Sequence, residues 1–362
     1  MKSVGIIGVG LIGGSVGCAL REVGVSVVGF DSDPDRLKEA RMLGAIDEAA
    51  SSVADLAARV DLVLVAVPVG LVASLVVEVL ESSLVTVTDV GSVKMSIIDF
   101  VSAARPDSVG RFVGGHPMAG SERDGLNGID PQLFRGATWV LTPTDSTDAS
   151  ALAEVKDLVS SLNAEVVIAG PAEHDALVAM VSHLPQLAAS TLMDVATANN
   201  DDQSVLLRLA AGGFRDMTRI ASSHPTIWTD ICVANRDAII DALDDYSLGI
   251  ARVRNLIDEG DQDGLLELLE RARTARRDLL PVGSGQDEMI ELQVPIPDRP
   301  GVLAEITALA GSLNVNIVDL QIAHSTEGGG GVLSLVVSAA DGEVLERELV
   351  AAGYKITHSG LS

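Results

Sequence analysis

Aromatic side chains are scarce in this sequence: two Trp, two Tyr and five Phe in 362 residues. The interior must therefore be aliphatic, built from Val, Leu, Ile and Ala, the residues of sheets buried on both faces. Cations are also few. Lys and Arg number 25 against 51 Asp and Glu, a formal charge of −26. Phosphate-rich partners are bound through Lys and Arg, so nucleic acid and an anionic membrane surface are excluded as partners. An anionic small molecule would have to be met by a few local cations working against a repulsive field. Cysteine is nearly absent. Cys18 and Cys232 lie far apart in apolar surroundings, which gives neither a disulfide framework nor a metal-ligand spacing. Both read as buried, reduced thiols of a cytosolic protein. Unbroken apolar spans are missing too. Val60–Leu80 is interrupted by Pro68-Val69-Gly70 and carries Asp61 and Glu78. The apolar stretch Val4–Leu20 holds six glycines, which a signal peptide would not need. No targeting segment is read, and the cytoplasm is the expected compartment.

What is present is alternation. Ser3–Val9, Val25–Asp31, Asp61–Val67, Leu84–Val90, Arg111–Gly115, Thr138–Thr142 and Val166–Ile168 read as short buried strands. Gly13–Val23, Pro34–Leu43 and Leu71–Leu80 read as helices, the second with Asp33 as N-cap and Gly44 just past its end. This order predicts an α/β Rossmann-type doubly wound parallel sheet over residues 1–170. Over residues 171–281 the texture becomes helical: Glu173–Thr197, Val205–Leu209, Thr226–Asn255 and Gln262–Leu279, with no strand. Helices apolar on more than one face need cover, which predicts a dimerisation domain. Leu279–Gln286 is a linker by composition. Residues 287–362 then read strand Met289–Ile296, helix Gly301–Leu313, strand Val315–Ala323, hairpin turn Gly328–Gly331, strand Val332–Ala339, helix Gly342–Ala352 and strand Tyr354–His358. That order, βαββαβ, is ferredoxin-like.

Gly8-Val9-Gly10-Leu11-Ile12-Gly13 follows the first strand and opens a helix. The glycines permit a tight turn, close approach to a pyrophosphate and close helix–sheet packing, and the helix start offers N–H groups to the phosphates. Asp31 ends the second strand, where a carboxylate binds ribose hydroxyls and repels a 2′-phosphate. NAD is the expected cofactor. Asp89-Val90-Gly91-Ser92-Val93-Lys94 lies at the carboxyl end of a strand, where ligands bind in open sheets. Ser92 reads as a site hydroxyl or a capping serine, and Lys94 equally as a site cation or a surface charge. Gly114-Gly115-His116-Pro117-Met118-Ala119-Gly120-Ser121-Glu122 places a histidine between glycines and a proline at a strand end. Its proton affinity suits a general base.

Together with Ser182-His183-Leu184-Pro185-Gln186 and the stretch Gly212–Trp228, these motifs resemble the prephenate dehydrogenase family, in its order, over roughly residues 1–280. The resemblance implies that His116 is the catalytic histidine. It would take the proton of the ring hydroxyl as hydride leaves ring C4 for the nicotinamide and the ring carboxylate departs as CO2. It implies that Ser92 supports that histidine, that Glu122 lies near the site entrance, that Arg219 binds a substrate carboxylate and that Trp228 lies near the site. His183 matches the first histidine of its motif, read more as orienting helices than as reacting. Gln186 stands where many members carry a second histidine, which leaves prephenate and arogenate both open as substrates. The last segment, with Pro297-Asp298-Arg299-Pro300-Gly301, resembles an ACT domain. That implies pairing in a homodimer and tyrosine as effector of a tyrosine-biosynthetic enzyme. Two other readings stay open. A β-hydroxyacid dehydrogenase would use a lysine in the helical block, yet Glu173–Leu280 contains none. A non-catalytic sensor of NAD and an amino acid would be expected to have lost His116, Ser92 or Arg219.

Overall fold

The computed structural model of the chain describes residues 2–120, 125–198, 212–278, 289–324 and 330–359. Glu122, the Val205–Leu209 helix reading, the linker and the tip of the Gly328–Gly331 turn lie outside them. The described residues fall into two compact units, one within Met1–Met193 and Ile220–Ser247, the other within Asp194–Arg219 and Leu248–Ser362.

The first unit is built on an eight-stranded sheet of order β3-β2-β1-β4-β5-β6-β7-β8. Its strands are β1 (Ser3–Ile7), β2 (Ser26–Phe30), β3 (Glu48–Ala49), β4 (Leu62–Val65), β5 (Thr86–Asp89), β6 (Phe112–Pro117), β7 (Thr138–Thr142) and β8 (Glu165–Ile168). The two-residue repeat of strands sorts their side chains onto opposite faces. Val4, Ile6, Leu62 and Leu64 enter one apolar cluster with Val16 and Leu20 of helix α1 (Leu11–Glu22) and Val155 and Leu158 of α6 (Ala149–Ser161). Ile7, Val63 and Val65 enter another, with Leu56 of α3 (Val53–Ala57), Val72 and Val76 of α4 (Val69–Ser82) and Ile97 of α5 (Met95–Ala104). Helix α2 (Pro34–Met42) is capped as expected: the Asp33 side chain accepts from the amides of Asp35 and Arg36.

The sheet departs from the all-parallel expectation at one place, because β6 and β7 run antiparallel. Parallel neighbours need a crossover element between them. Between β6 and β7 the described residues hold only a 3-10 turn, Gly125–Gly128, so the chain returns in the opposite direction. Helices α3, α5 and α6 and the short β3 have no counterpart in the sequence reading. Cys18 and Cys232 are free, as expected, but only half-buried, with burial pushing both thiols up.

One long helix follows β8: α7 (Pro171–Val178), a π-helical turn Ala179–His183, and α8 (Leu184–Ala198). Among the described residues it alone has the length and apolarity to cross a membrane. Its buried face nevertheless carries His174, Asp175, His183 and Gln186. Helices α9 (Gly212–Thr218), α10 (Pro225–Ala234), α11 (Arg236–Glu259) and α12 (Gln262–Asp278) complete the helical block. The expected helix Thr226–Asn255 is thus split at Asn235.

The second unit contains a four-stranded antiparallel sheet of order β10-β11-β9-β12. Its elements run β9 (Met289–Pro297), α13 (Val302–Ser312), β10 (Asp319–His324), β11 (Gly330–Ser338), α14 (Ala339–Ala351) and β12 (Thr357–Ser359). Leu292, Val294, Leu333, Leu335 and Val337 point from the strands into a core with Ile306, Ala310, Leu345 and Leu349 of the helices.

The close approach of α1 to the first sheet has a measurable cost if disturbed. A Cβ at Gly13 would lie 2.0 Å from the carbonyl oxygen of Gly8. Gly13→Ala is expected to lower unfolding free energy by about 1–3 kcal/mol. A urea midpoint equal to that of the wild type would contradict this packing.

Candidate active site

The glycine loop joins β1 to α1. Gly8 has φ +90°, and a side chain there would also strike the Ala66 carbonyl. Gly10 differs: a Cβ there would meet nothing of the protein. It caps α1 without a side chain, so the first-turn amides of Leu11, Ile12 and Gly13 have no side-chain acceptor. Asp31, buried at the end of β2, accepts the Val9 amide at 3.1 Å and the Asp33 amide at 3.0 Å. The Arg36 guanidinium approaches it at 3.3 Å. Open space over Gly10, uncapped helix amides and a fixed carboxylate fit a dinucleotide, with phosphates on the helix start and a ribose at Asp31.

The neighbouring strand ends carry a buried ion pair. Lys94 and Asp89 are both fully buried, and the Lys94 ammonium contacts the Asp89 carboxylate and donates to the Gly115 carbonyl at 2.8 Å. The other Asp89 oxygen accepts the Gly115 amide at 3.0 Å. The glycine pair before His116 makes this possible. A Cβ at Gly114 would press on Lys94 and Thr142, and one at Gly115 on the Asp89 backbone and Trp139. Lys94 is therefore an interior cation, and the surface-charge reading is corrected. Burial pushes its proton affinity down, and Asp89 and then Asp175 oppose that. Ser92 sits half-buried in the same loop. Strand pairing of β5 with β6 sets that loop beside His116 at the carboxyl edge of the sheet.

His116 is the last residue but one of β6 and meets a residue that motif reading passed over. Its Nδ1 lies 2.9 Å from Nε2 of His174, and His174 Nδ1 lies 2.8 Å from Oδ1 of Asp175. The two rings meet edge to face, at 77°. Asp175 accepts the backbone amides of Lys94 and Met95, each at 2.8 Å, at the start of α5. Asn235 donates to the Asp175 carbonyl at 2.9 Å and lies 3.2 Å from Nδ1 of His183. Burial holds His116 well below the ordinary imidazole range, with Lys94, His174 and His183 adding to the effect. Burial also lowers His183 from 6.5 to about 4, against the pull of Asp175.

Gln186 is buried on α8, its amide 3.5 Å from the hydroxyls of Ser190 and Ser223. The Trp228 ring packs edge to face on His183 at 6.0 Å. Arg219 opens a 3-10 turn, Arg219–Ser222, with an exposed side chain. His174 and Asp175 carried only one sequence signal, a His-Asp pair in a chain with six histidines. Asp89 and Lys94 carried another, opposite charges five residues apart across a strand end.

The depressed imidazoles set an acid limit on stability. Below pH 6.5 the unfolded chain takes up protons that folded His183 and His116 refuse, so stability falls as pH falls, down to about 4 for His183. His183 alone is expected to account for about 2 kcal/mol between pH 7 and 5. His183→Gln should flatten that part of the profile in urea titrations; an unchanged slope would remove the assignment.

Known proteins share this chain's sequence and fold. Residues 16–168 match the model of the prephenate dehydrogenase nucleotide-binding domain, and residues 170–271 that of the prephenate dehydrogenase dimerization domain. A prephenate dehydrogenase of Bacillus subtilis is 34% identical over 343 residues, covering 93% of this chain and 92% of its own. The crystal structure of prephenate dehydrogenase from Aquifex aeolicus, in complex with hydroxyphenyl propionate and NAD+, is 32% identical with a TM-score of 0.71, over 77% of this chain and 98% of that one. Synechocystis arogenate dehydrogenase is 30% identical with a TM-score of 0.68, over 76% and 99%. With a dinucleotide loop, a histidine at the sheet's carboxyl edge and a helical segment fixed to it, the chain belongs to the prephenate dehydrogenase family.

Proposed function

We propose that the protein catalyses the NAD-dependent oxidative decarboxylation of prephenate to 4-hydroxyphenylpyruvate, a step of tyrosine biosynthesis, in the cytoplasm. The observation that carries this is His116, an imidazole of lowered proton affinity held at the same carboxyl edge of the sheet as a loop fit for a dinucleotide. Bound there, NAD supplies the hydride acceptor. Gly8 and Gly13 let the loop and α1 close on the sheet, Gly10 leaves room for it, Leu11 and Ile12 offer first-turn amides, and Asp31 takes the ribose. His116, neutral at physiological pH, accepts the proton of the ring hydroxyl. Ser92 supports that ring, and Arg219 binds a substrate carboxylate. Glu122 is assigned to the site entrance, and His183, tied to Asn235 and Trp228, to the site wall. Gln186 faces the substrate side chain. A neutral amide both donates and accepts, so arogenate is a second substrate on this reading.

The domains follow as residues 1–170, 171–281 and 287–362. The middle one forms a homodimer. Its supporting observation is apolar exposure: Leu177, Val181, Val233, Leu248, Ile257 and Leu269 are all more than half exposed in the single chain. The last is a ferredoxin-like ACT domain that binds tyrosine. Its strand order supports this, as does a cleft of about 430 Å³ lined by Asp298, Arg299, Gly301, Val302 and Ile322. At its mouth Gly301 is left-handed, with φ +91°. Arg299 is held in two contacts by Glu305, which also accepts from the Tyr354 hydroxyl.

NADH formation from prephenate and from arogenate, with NAD and NADP, tests the assignment. Turnover of either with NAD is expected, and His116→Asn should bind NAD yet lose about 100-fold or more in kcat. No turnover of either acid by NAD-loaded protein would overturn it. Deleting residues 285–362 should preserve turnover and abolish inhibition by tyrosine; inhibition retained after deletion would place the effector elsewhere.

A further inference from the structure

His174 and Asp175 have no place in the mechanism so far, yet they stand behind His116 almost wholly buried, with 2% and 4% of their surfaces exposed. Hydrogen-bond direction along them is fixed from one end. Both Asp175 oxygens already accept backbone amides. Toward His174 the carboxylate therefore acts as acceptor, and His174 carries its hydrogen on Nδ1. Its Nε2 then presents a lone pair. The only arrangement that pairs it with His116 is Nδ1–H of His116 donating to Nε2 of His174. That leaves the lone pair of His116 on Nε2.

We infer that His174 and Asp175 are positioning residues that hold His116 in the Nδ1–H tautomer, so that Nε2 is the atom that receives the substrate's proton. This deepens the base assignment made above and rests on it. In the step, the C4–H bond breaks and its electron pair leaves with the hydride, for which NAD would be the acceptor when bound; the substrate O–H bond breaks, its electron pair becomes the new C4–O π bond, and the proton forms a bond to Nε2. The cation so formed keeps its Nδ1–H on His174, whose other side faces the Asp175 carboxylate. The arrangement compensates for unfavourable neighbours. Around His116 stand the Lys94 ammonium from the loop before α5, the Asp89 carboxylate at the end of β5, His174 and Asp175 on α7, and His183 in the π turn. Lys94 is the charge that opposes protonation, and Asp175 the one that reaches the ring pair through a hydrogen bond. The neutral ring of a free histidine prefers its hydrogen on Nε2, the wrong tautomer for a base here, so the direction imposed by Asp175 reverses an intrinsic preference.

The test uses the full-length protein. With six histidines in the chain, 15N-histidine labelling and long-range proton–nitrogen spectra read the tautomer of each ring. Wild type should show His116 protonated at Nδ1. His174→Leu should lose that signal and lower kcat by about 100-fold or more with KM within about twofold. His174→Gln, whose amide oxygen still accepts from Nδ1–H, should recover at least about tenfold of that loss. Asp175→Asn can no longer accept on both oxygens, so a hydrogen on His174 Nδ1 is no longer imposed and the Nδ1–H population of His116 should fall; it and His174→Gln carry the test if His174→Leu does not fold. A wild-type His116 protonated at Nε2, or wild-type kcat in His174→Leu, would overturn the inference while leaving His116 as base. Turnover retained in His116→Asn would overturn the base assignment itself, and the inference with it.

Discussion

The site hangs on the carboxylate of Asp175. Its two oxygens accept the first amides of α5, its backbone carbonyl accepts from Asn235, and its ring neighbour reaches His116. One residue thus ties the first helix after the sheet to the loop following β5 and to the junction of α10 and α11. Hydrogen bonds to a charged group are each worth about 1.5–3 kcal/mol, and a helix start favours an anion. The turn that presents those amides is the one that buries Lys94 beneath β6. Asp89, Lys94 and Asp175 form an alternating set of charges, with the imidazoles beside it. Buried pairs of this kind add little net stability but are expensive to break, so the constellation fixes geometry more than it stabilises the fold.

This arrangement also answers how an acidic protein can receive an anion. The overall charge of −26 acts through water and salt, which screen it within about 10 Å. The site is governed by nearer groups: uncapped amides at α1, an interior ammonium at Lys94, and Arg36 beside Asp31. Arg36 also tempers the reading of Asp31 as a plain repeller of a second phosphate, since the carboxylate already has a cationic partner.

Strand positions were largely legible because a buried parallel sheet writes itself as short runs of Val, Ile and Leu, and Thr138–Thr142 was read to the residue. The antiparallel turn between β6 and β7 was not, because direction depends on what connects two strands and not on their own composition. Helix α6 was missed although Ala151, Val155, Leu158 and Val159 repeat at helical spacing; three of the four are small or β-branched and read equally as strand. In the site, motifs marked by glycine and proline were found, because those residues announce unusual backbone. His174, Asp175 and Asn235 lie in or between regular helices and announce nothing. Apart from the adjacent His174–Asp175 pair, their partners are 52 to 81 residues away in sequence, and only the packing of α7 brings them together.

The π turn in that long helix has a further consequence. Buried positions step by four from His174 to Val178 and from Asp175 to Ala179, then by five to His183 and Leu184. An α-helix turns about 100° per residue, so the one extra residue re-aims everything after it relative to everything before. The helix is thereby divided into two independently adjustable halves. The first half is locked to the sheet by its carboxylate, while the second, with Gln186, can be rotated or retuned by gain or loss of a single residue at the bulge. A change at the bulge would alter which side chains the second half buries while leaving the Asp175 contacts of the first half in place.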